Sequence, residues 1–308
     1  MKHQTTMKRS RRTYFSVAAV LLLALISISA LLWQRWSQAW GDQAVNFTPA
    51  QQECGQEGQL RYCINRDVGG VNGDWLYHLH GRKLDETIWN DPSYMTAMIQ
   101  GAWQQMGQRP PTVVTLSYGP VWLLTPKGKA EASGLLEQIH SDMAAIEARH
   151  GRPARRLLLG ESMGGLSALI LGLNRPEHFA KVAALCPGVY VDSPFAPLSQ
   201  LKAALERTGA DPKIGFGVVR LARQFVTDDA EWQRVSPLAL IENDLPASSP
   251  RPQLYISNGL YDRYGNFEGS QRLIERARAQ GWQTEWHPIY GGHCASDIDS
   301  LARFLLPG

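Results

Sequence analysis

A serine flanked by glycines, an aspartate and a histidine carry the chemistry legible in this chain of 308 residues. The run Gly160-Glu161-Ser162-Met163-Gly164-Gly165 directly follows the apolar Leu157-Leu158-Leu159 and directly precedes a stretch of helical apolar periodicity. A strand, a sharp turn and a helix in that order hold a serine in a strained backbone conformation, with its oxygen lifted clear of a sheet edge. The flanking residues must be glycine because a Cβ there would collide with the neighbouring turn. A hydroxyl is a weak nucleophile until a base removes its proton. Ser162 therefore calls for a histidine, and for an acid that precedes the histidine in the chain.

His293 lies in Tyr290-Gly291-Gly292-His293, just past the last expected strand, where a short glycine-rich loop can bring an imidazole over the C-terminal edge of a sheet. The other histidines suit solvated or core roles. His78, His80 and His287 fall within strand-like runs, His3 in the leader, and His140, His150 and His178 on or at the ends of helices. Asp262 follows the run Gln253 to Ser257 and is placed to hold the imidazole in its useful tautomer, its alternative being an Asx-type turn role. Asp297 and Asp299 come after the histidine, in an expected helix. For charge developing on a carbonyl oxygen, the backbone N–H of Met163 is one donor. The N–H of Arg82, in His80-Gly81-Arg82 after the run Trp75 to Leu79, is the candidate for the second. A metal reading of His78-x-His80 lacks a further ligand at suitable spacing, so no metal and no other cofactor is expected.

These residues need a scaffold, and the chain supplies alternating elements. Apolar runs at Leu60 to Asn65, Trp75 to His80, Thr112 to Tyr118, Arg156 to Leu159, Val182 to Cys186, Gln253 to Ser257 and Thr284 to Ile289 read as strands. Helical patterns read over Glu131 to His150, Met163 to Leu173, Phe267 to Gln280 and Ala295 to Leu306; in the first, Leu135, Leu136, Ile139, Met143 and Ile146 form one stripe. This alternation predicts an α/β class, a mostly parallel sheet with helices on both faces. The first two runs are expected to pair as an antiparallel hairpin across the turn-rich residues 68–73. Residues 190–250, with prolines and short helical stretches (Leu198 to Arg207, Ile214 to Phe225), read as a cap-like insertion or a plain excursion. Trp89, Trp122 and Trp232 suit either core packing or the wall of an aromatic or sugar site.

The N-terminus reads as a membrane-directed segment. Lys8-Arg9-Ser10-Arg11-Arg12 precedes an uncharged apolar run over residues 13–33, long enough to cross about 30 Å of hydrocarbon. An uncleaved anchor over residues 1–40 is expected, followed at 41–59 by a stretch that reads as a tether or as the lead-in of an N-terminal strand, and by the main domain at 60–308, on the extracytoplasmic side, periplasmic or at the cell surface. The alternative is secretion after cleavage, for which Ser37-Gln38-Ala39 offers a small-x-small site. The Arg11-Arg12 pair also fits a twin-arginine signal, and ordinary inside-facing positive charge explains it equally. Residues 1–40 hold six basic residues and no acid, which leaves 25 basic against 28 acidic residues in the remainder. A near-neutral body has no electrostatic footprint for nucleic acid. Four cysteines, Cys54, Cys63, Cys186 and Cys294, are an even set in an exported chain; Cys54 with Cys63 and Cys186 with Cys294 is the favoured pairing, and free buried thiols are the alternative.

From about residue 60 to 308 the chain resembles the esterase D and antigen 85-like branch of the α/β hydrolases. The likeness rests on Leu79-His80-Gly81, on Gly160 to Gly165 followed by Leu166-Ser167-Ala168-Leu169, on Arg175-Pro176-Glu177-His178-Phe179, on Gly259-Leu260-Tyr261-Asp262 and on Gly291-Gly292-His293. The resemblance implies an α/β-hydrolase fold, the same Ser162, Asp262 and His293 set, and a carboxylic ester or thioester substrate. Cys294 departs from it, since many relatives have a polar or aromatic residue after the histidine. The membrane segment disfavours a cytosolic thioesterase of the S-formylglutathione hydrolase kind. The expected activity is serine-dependent hydrolysis of a small-molecule, glycan or lipid ester. Acyl transfer to a sugar or lipid hydroxyl, and a catalytically silent binding domain tethered to the envelope, are the alternatives. Because a histidine base must be neutral, activity is expected to fall below a pH of about 6 to 7, given an ordinary histidine pKa of about 6.5.

Overall fold

Strands buried on both faces account for the continuous apolar runs of the sequence, because a sheet sandwiched between helices has no solvent face. The computed structural model describes residues 4–39, 45–122, 124–125, 134–243 and 249–307. His3, residues 41–44 of the expected lead-in, 131–133 of an expected helix and 244–248 of the expected insertion lie outside them. Two compact units are present, Met1–Val45 and Asn46–Gly308. The first holds helix α1 (Gln4–Ala39), whose stretch Val17–Gln34 is apolar and long enough to cross a membrane and has exposed side chains.

The second unit runs through β1 (Gln51–Glu57), β2 (Leu60–Arg66), β3 (Trp75–Leu79), α2 (Met95–Met106), β4 (Thr112–Ser117), α3 (Leu135–His150), β5 (Arg156–Glu161), α4 (Met163–Asn174) and β6 (Lys181–Leu185). Helices α5 (Leu198–Thr208), α6 (Pro212–Phe225), α7 (Asp229–Val235) and α8 (Pro237–Leu240) then intervene before β7 (Gln253–Gly259), α9 (Phe267–Ala279), β8 (Thr284–Ile289) and α10 (Ile298–Phe304). The eight strands form one sheet in the order β1-β2-β4-β3-β5-β6-β7-β8. It is parallel from β4 to β8 and antiparallel where β2 meets β1 and β4.

That topology corrects the expected hairpin. Residues 60–66 pair with the preceding polar strand β1, not with β3, and β3 lies in the parallel sheet between β4 and β5. The turn Glu57 to Leu60 closes the true hairpin, and the disulfide Cys54–Cys63 joins directly paired residues across it, with Cα atoms 4.0 Å apart. The turn-rich residues 68–73 instead carry the chain across to β3. Helix α2, with buried Ile99, Ala102 and Trp103, was not expected from the sequence.

Alternate residues of each central strand serve opposite layers. Trp75, Tyr77, Leu79, Leu158, Val182 and Leu254 pack towards the layer of α3, α4 and α9. Leu76, Leu157, Leu159, Ala183 and Tyr255 pack towards α2 and α10. Helix α4 crosses the sheet so closely that a Cβ on Gly164 would lie 1.7 Å from the carbonyl oxygen of Leu79. Gly164→Ala is therefore expected to cost about 3 kcal/mol or more in urea unfolding, since only backbone could yield. Gly217→Ala, in α6 with no described atom beyond its own helix backbone within 4 Å of the new Cβ, is expected to be neutral or to stabilise by about 0.5 to 1 kcal/mol.

Candidate active site

Ser162 occupies the turn between β5 and α4 with φ 55° and ψ −113°, a conformation that a residue bearing Cβ adopts only under constraint. Its N–H is held by the carbonyl of Leu185 at the end of β6 (2.8 Å), and its carbonyl accepts from the N–H of Leu166 (3.1 Å). The Ser162 Oγ lies 2.8 Å from Nε2 of His293, whose Nδ1 lies 2.7 Å from Oδ2 of Asp262. A carboxylate can only accept here, so Nδ1 carries the proton and Nε2 is left as acceptor for the Ser162 hydroxyl. Asp262 is buried just past β7, and its other oxygen accepts from the N–H of Tyr264 (3.0 Å). The Tyr264 ring stacks on the His293 imidazole, with centroids 4.1 Å apart. Three of the predicted residues, which are distant in the chain, thus meet at the C-terminal edge of the parallel sheet.

The loop that carries His293 is tied down on two sides. Gly259 and Gly292 approach so closely that a Cβ on Gly259 would sit 2.0 Å from the Gly292 carbonyl oxygen. Cys294, at φ 58°, is disulfide-bonded to Cys186, at φ 43°, which directly follows β6. The Cys186 sulfur lies 3.9 Å from Nε2 of His293. Cys186, His293 and Cys294 bring nitrogen and sulfur atoms within 4.8 Å of one another, but the two sulfurs are bonded together. Asp297 caps α10 through the N–H of Ser300 and Asp299 lies in that helix.

On the other side of the serine, Arg82 and Met163 line the same cavity as Ser162 and His293. Among the described residues neither the Arg82 nor the Met163 N–H is engaged by a protein acceptor. What fixes the Arg82 loop is Glu161, which the sequence reading passed over. Its carboxylate, fully buried, accepts from the N–H of Gly81 (2.8 Å), the hydroxyl of Tyr94 (3.1 Å) and Nε2 of His78 (2.9 Å). A signal was present, namely an acidic residue at the end of an otherwise apolar strand, directly before the serine. Trp89 belongs to the core against Trp103 and His78, whereas Trp122 lines the cavity at Ser162 and stacks on Trp232, which does not reach that cavity.

His80 has separate partners from His78. Its Nδ1 lies 2.8 Å from the Gly81 carbonyl, so it must donate there, and its Nε2 accepts from the Ser117 hydroxyl (2.8 Å). Burial holds the His80 pKa below the ordinary histidine value, and burial does the same for His140, with His178 beside it adding to the effect. These imidazoles are harder to protonate in the folded state, so below about pH 6.5 the unfolded chain binds more protons. Their contribution is complete above that pH and is lost as the pH falls towards the folded-state values. The midpoint of thermal unfolding is expected to drop between pH 7 and pH 5, and His80→Gln is expected to flatten that drop.

Residues 69–297 match the family model described as "Putative esterase". No curated protein matches the chain by sequence. Similar solved structures include an esterase/lipase from an uncultured bacterium, 19% identical over 85% of this chain and 86% of that one, with a TM-score of 0.58. An arylesterase is 16% identical over 85% of each chain, with a TM-score of 0.59. An S-formylglutathione hydrolase from Agrobacterium tumefaciens is 16% identical over 82% of this chain and 90% of that one, with a TM-score of 0.52. At such identities the likeness speaks to the α/β-hydrolase fold, and it is the family match, covering most of the second unit, that identifies the chain as a member of the esterase family.

Proposed function

We propose that the chain hydrolyses a carboxylic ester through an acyl-enzyme on Ser162. The observation that carries this reading is the unbroken pair of short contacts from Asp262 through His293 to the Ser162 oxygen, at a strained strand-to-helix turn. As Oγ attacks the ester carbonyl carbon, Nε2 of His293 takes the hydroxyl proton. The Asp262 carboxylate stabilises the imidazolium and stays ionised. The N–H groups of Arg82 and Met163 meet the charge developing on the carbonyl oxygen, and losing one such donor costs on the order of 3 kcal/mol in the transition state. When the tetrahedral adduct collapses, the carbon–oxygen bond to the alcohol breaks and the imidazolium proton goes to the leaving oxygen. Water then gives a proton to His293 and attacks the acyl carbon, and the acid departs with Ser162 restored.

The apolar stretch Val17–Gln34 supports an N-terminal anchor or export signal, and the two disulfides support an extracytoplasmic setting. Helices α5 to α8 are read as a cap over the C-terminal edge of the sheet. Ser162→Ala is expected to lower turnover of short p-nitrophenyl esters by about ten-thousandfold or more and to abolish labelling by a fluorophosphonate. A fully active Ser162→Ala enzyme would sink the proposal. With an alcohol added as acceptor, free acid should remain the main product; a dominant new ester would make the chain a transferase. Replacing Cys186 and Cys294 together by alanine is expected to lower kcat by about tenfold to a hundredfold, the scale of a misplaced catalytic group. The corresponding Cys54 and Cys63 double variant is the comparison, and equal loss in both would remove any special role for the pair beside His293.

A further inference from the structure

The cavity around Ser162 shares one wall with a second cavity. Trp122, Tyr190, Val218 and Tyr264 line both, and the second, of about 60 Å³, lies beneath the cap helices α5 and α6. That second space is walled largely by apolar side chains, among them Leu201, Leu205, Ala222 and Trp232. Its charged members are spent on one another, since Arg207 bonds Asp192 at 2.8 Å and Glu268 at 3.0 Å. Among the described residues that line it, no cation is therefore left over to receive an anionic substrate group at that end.

We infer that the shared wall is a neck through which the acyl tail of the substrate enters this second cavity, and that the tail is an apolar chain with roughly four to six of its carbons lodged there beyond those that cross the neck. The inference rests on the acyl-enzyme reading and deepens it. Which half of the ester enters is decided by the order of events. The alcohol must leave before water attacks, past His293, whose imidazole is 27% exposed and gives an open side. The acyl group stays attached to Ser162 throughout both steps, so it is the half that gains from a covered, apolar space. A water-sized group needs about 10 to 15 Å³ of such space, so 60 Å³ admits about four to six methylene-sized groups in file. The Tyr190 hydroxyl, in the shared neck, has no protein hydrogen-bond partner among the described residues, and the neck is otherwise formed by rings and a valine. A short tail would leave this space to water.

The test is a p-nitrophenyl ester series on the full chain, from acetate to dodecanoate. The specificity constant kcat/KM is expected to rise by up to about fourfold per methylene, the worth of burying one CH₂, and to level off at heptanoate or beyond, once the tail has crossed the neck and filled the second cavity. An ester whose hexanoyl tail ends in a carboxylate should fall at least tenfold below hexanoate. Val218→Trp, which narrows the neck, should reduce the ratio of hexanoate to acetate turnover at least tenfold. Val218→Ala should move the plateau to longer tails, and it serves if the tryptophan variant does not fold. A profile flat from acetate to hexanoate in an enzyme that still depends on Ser162 would overturn the inference alone. So would an unchanged ratio in the folded Val218 variants. Activity independent of Ser162 would instead overturn the reading on which it rests.

Discussion

The backbone contact between the start of α4 and the ends of β3 and β5 is the constraint on which the site depends. Gly160 and Gly164 have no room for a Cβ, the first against the Gly164 carbonyl at 2.2 Å and the second against the Leu79 carbonyl at 1.7 Å. Bringing a helix N-terminus that close to a strand end fixes the direction in which the chain leaves β5. It also leaves Ser162 in an unfavourable backbone region, at a cost of about 1 to 3 kcal/mol. The surrounding sheet outweighs that cost through its buried ladder, including the hydrogen bond from the Ser162 N–H to Leu185. The strain thus sits where the hydroxyl must stand clear of its own backbone, with Met163, the first residue of α4, lining the same cavity.

Glu161 extends this constraint to the other wall of the site. A carboxylate with no access to water is costly to bury, and here it accepts from the Gly81 N–H, the Tyr94 hydroxyl and the His78 imidazole. Because it neighbours Ser162 in the chain and Gly81 in space, one side chain sets the distance between the serine turn and the loop of Arg82. The amide donors proposed at Arg82 and Met163 would need such a tie, since a loop free to relax would lose much of its advantage in stabilising charge. His80 completes the wall through Ser117 and the Gly81 carbonyl, and meets the Glu161 network at Gly81.

What was legible in the sequence follows from range. The elements from β5 onward announce themselves because the serine turn, the strand before Asp262 and the glycine-rich loop of His293 are local patterns with local reasons. The two cysteine pairings were likewise open to reading from number and setting. The edge of the sheet was not. β1 is polar and exposed, with a pattern no different from a tether, and only its ladder to β2 makes it a strand. The turn-rich residues 68–73 signal a reversal, but local turn chemistry says nothing about which strands pair, and β3 finds β4 and β5 instead. Helix α2 carries Gly101 and a cluster of glutamines that blur its apolar stripe, and its burial comes from contact with distant α10, including the bond from the Trp103 indole to Ala302. Glu161 was not legible because its donors, His78 and Gly81 at and just past the end of β3 and Tyr94 just before α2, all lie far from it in the chain.

The histidine poses a different physical problem from the serine. Ser162 is embedded between two regular elements, whereas His293 stands on a loop 131 residues later and would be free to swing. Four restraints converge on it: the hydrogen bond to Asp262, the Tyr264 ring against its face, the glycine contact at Gly259 and the covalent link from Cys294 to Cys186. The last spans 108 residues, and closing a loop of that size removes about 4.7 kcal/mol of freedom from the unfolded chain in the entropic model. Its other end follows β6, the strand whose Leu185 carbonyl holds the Ser162 backbone. One strand end therefore anchors the serine by a hydrogen bond and the histidine by a disulfide, so a shift of β6 would carry both groups together and preserve the 2.8 Å separation between them.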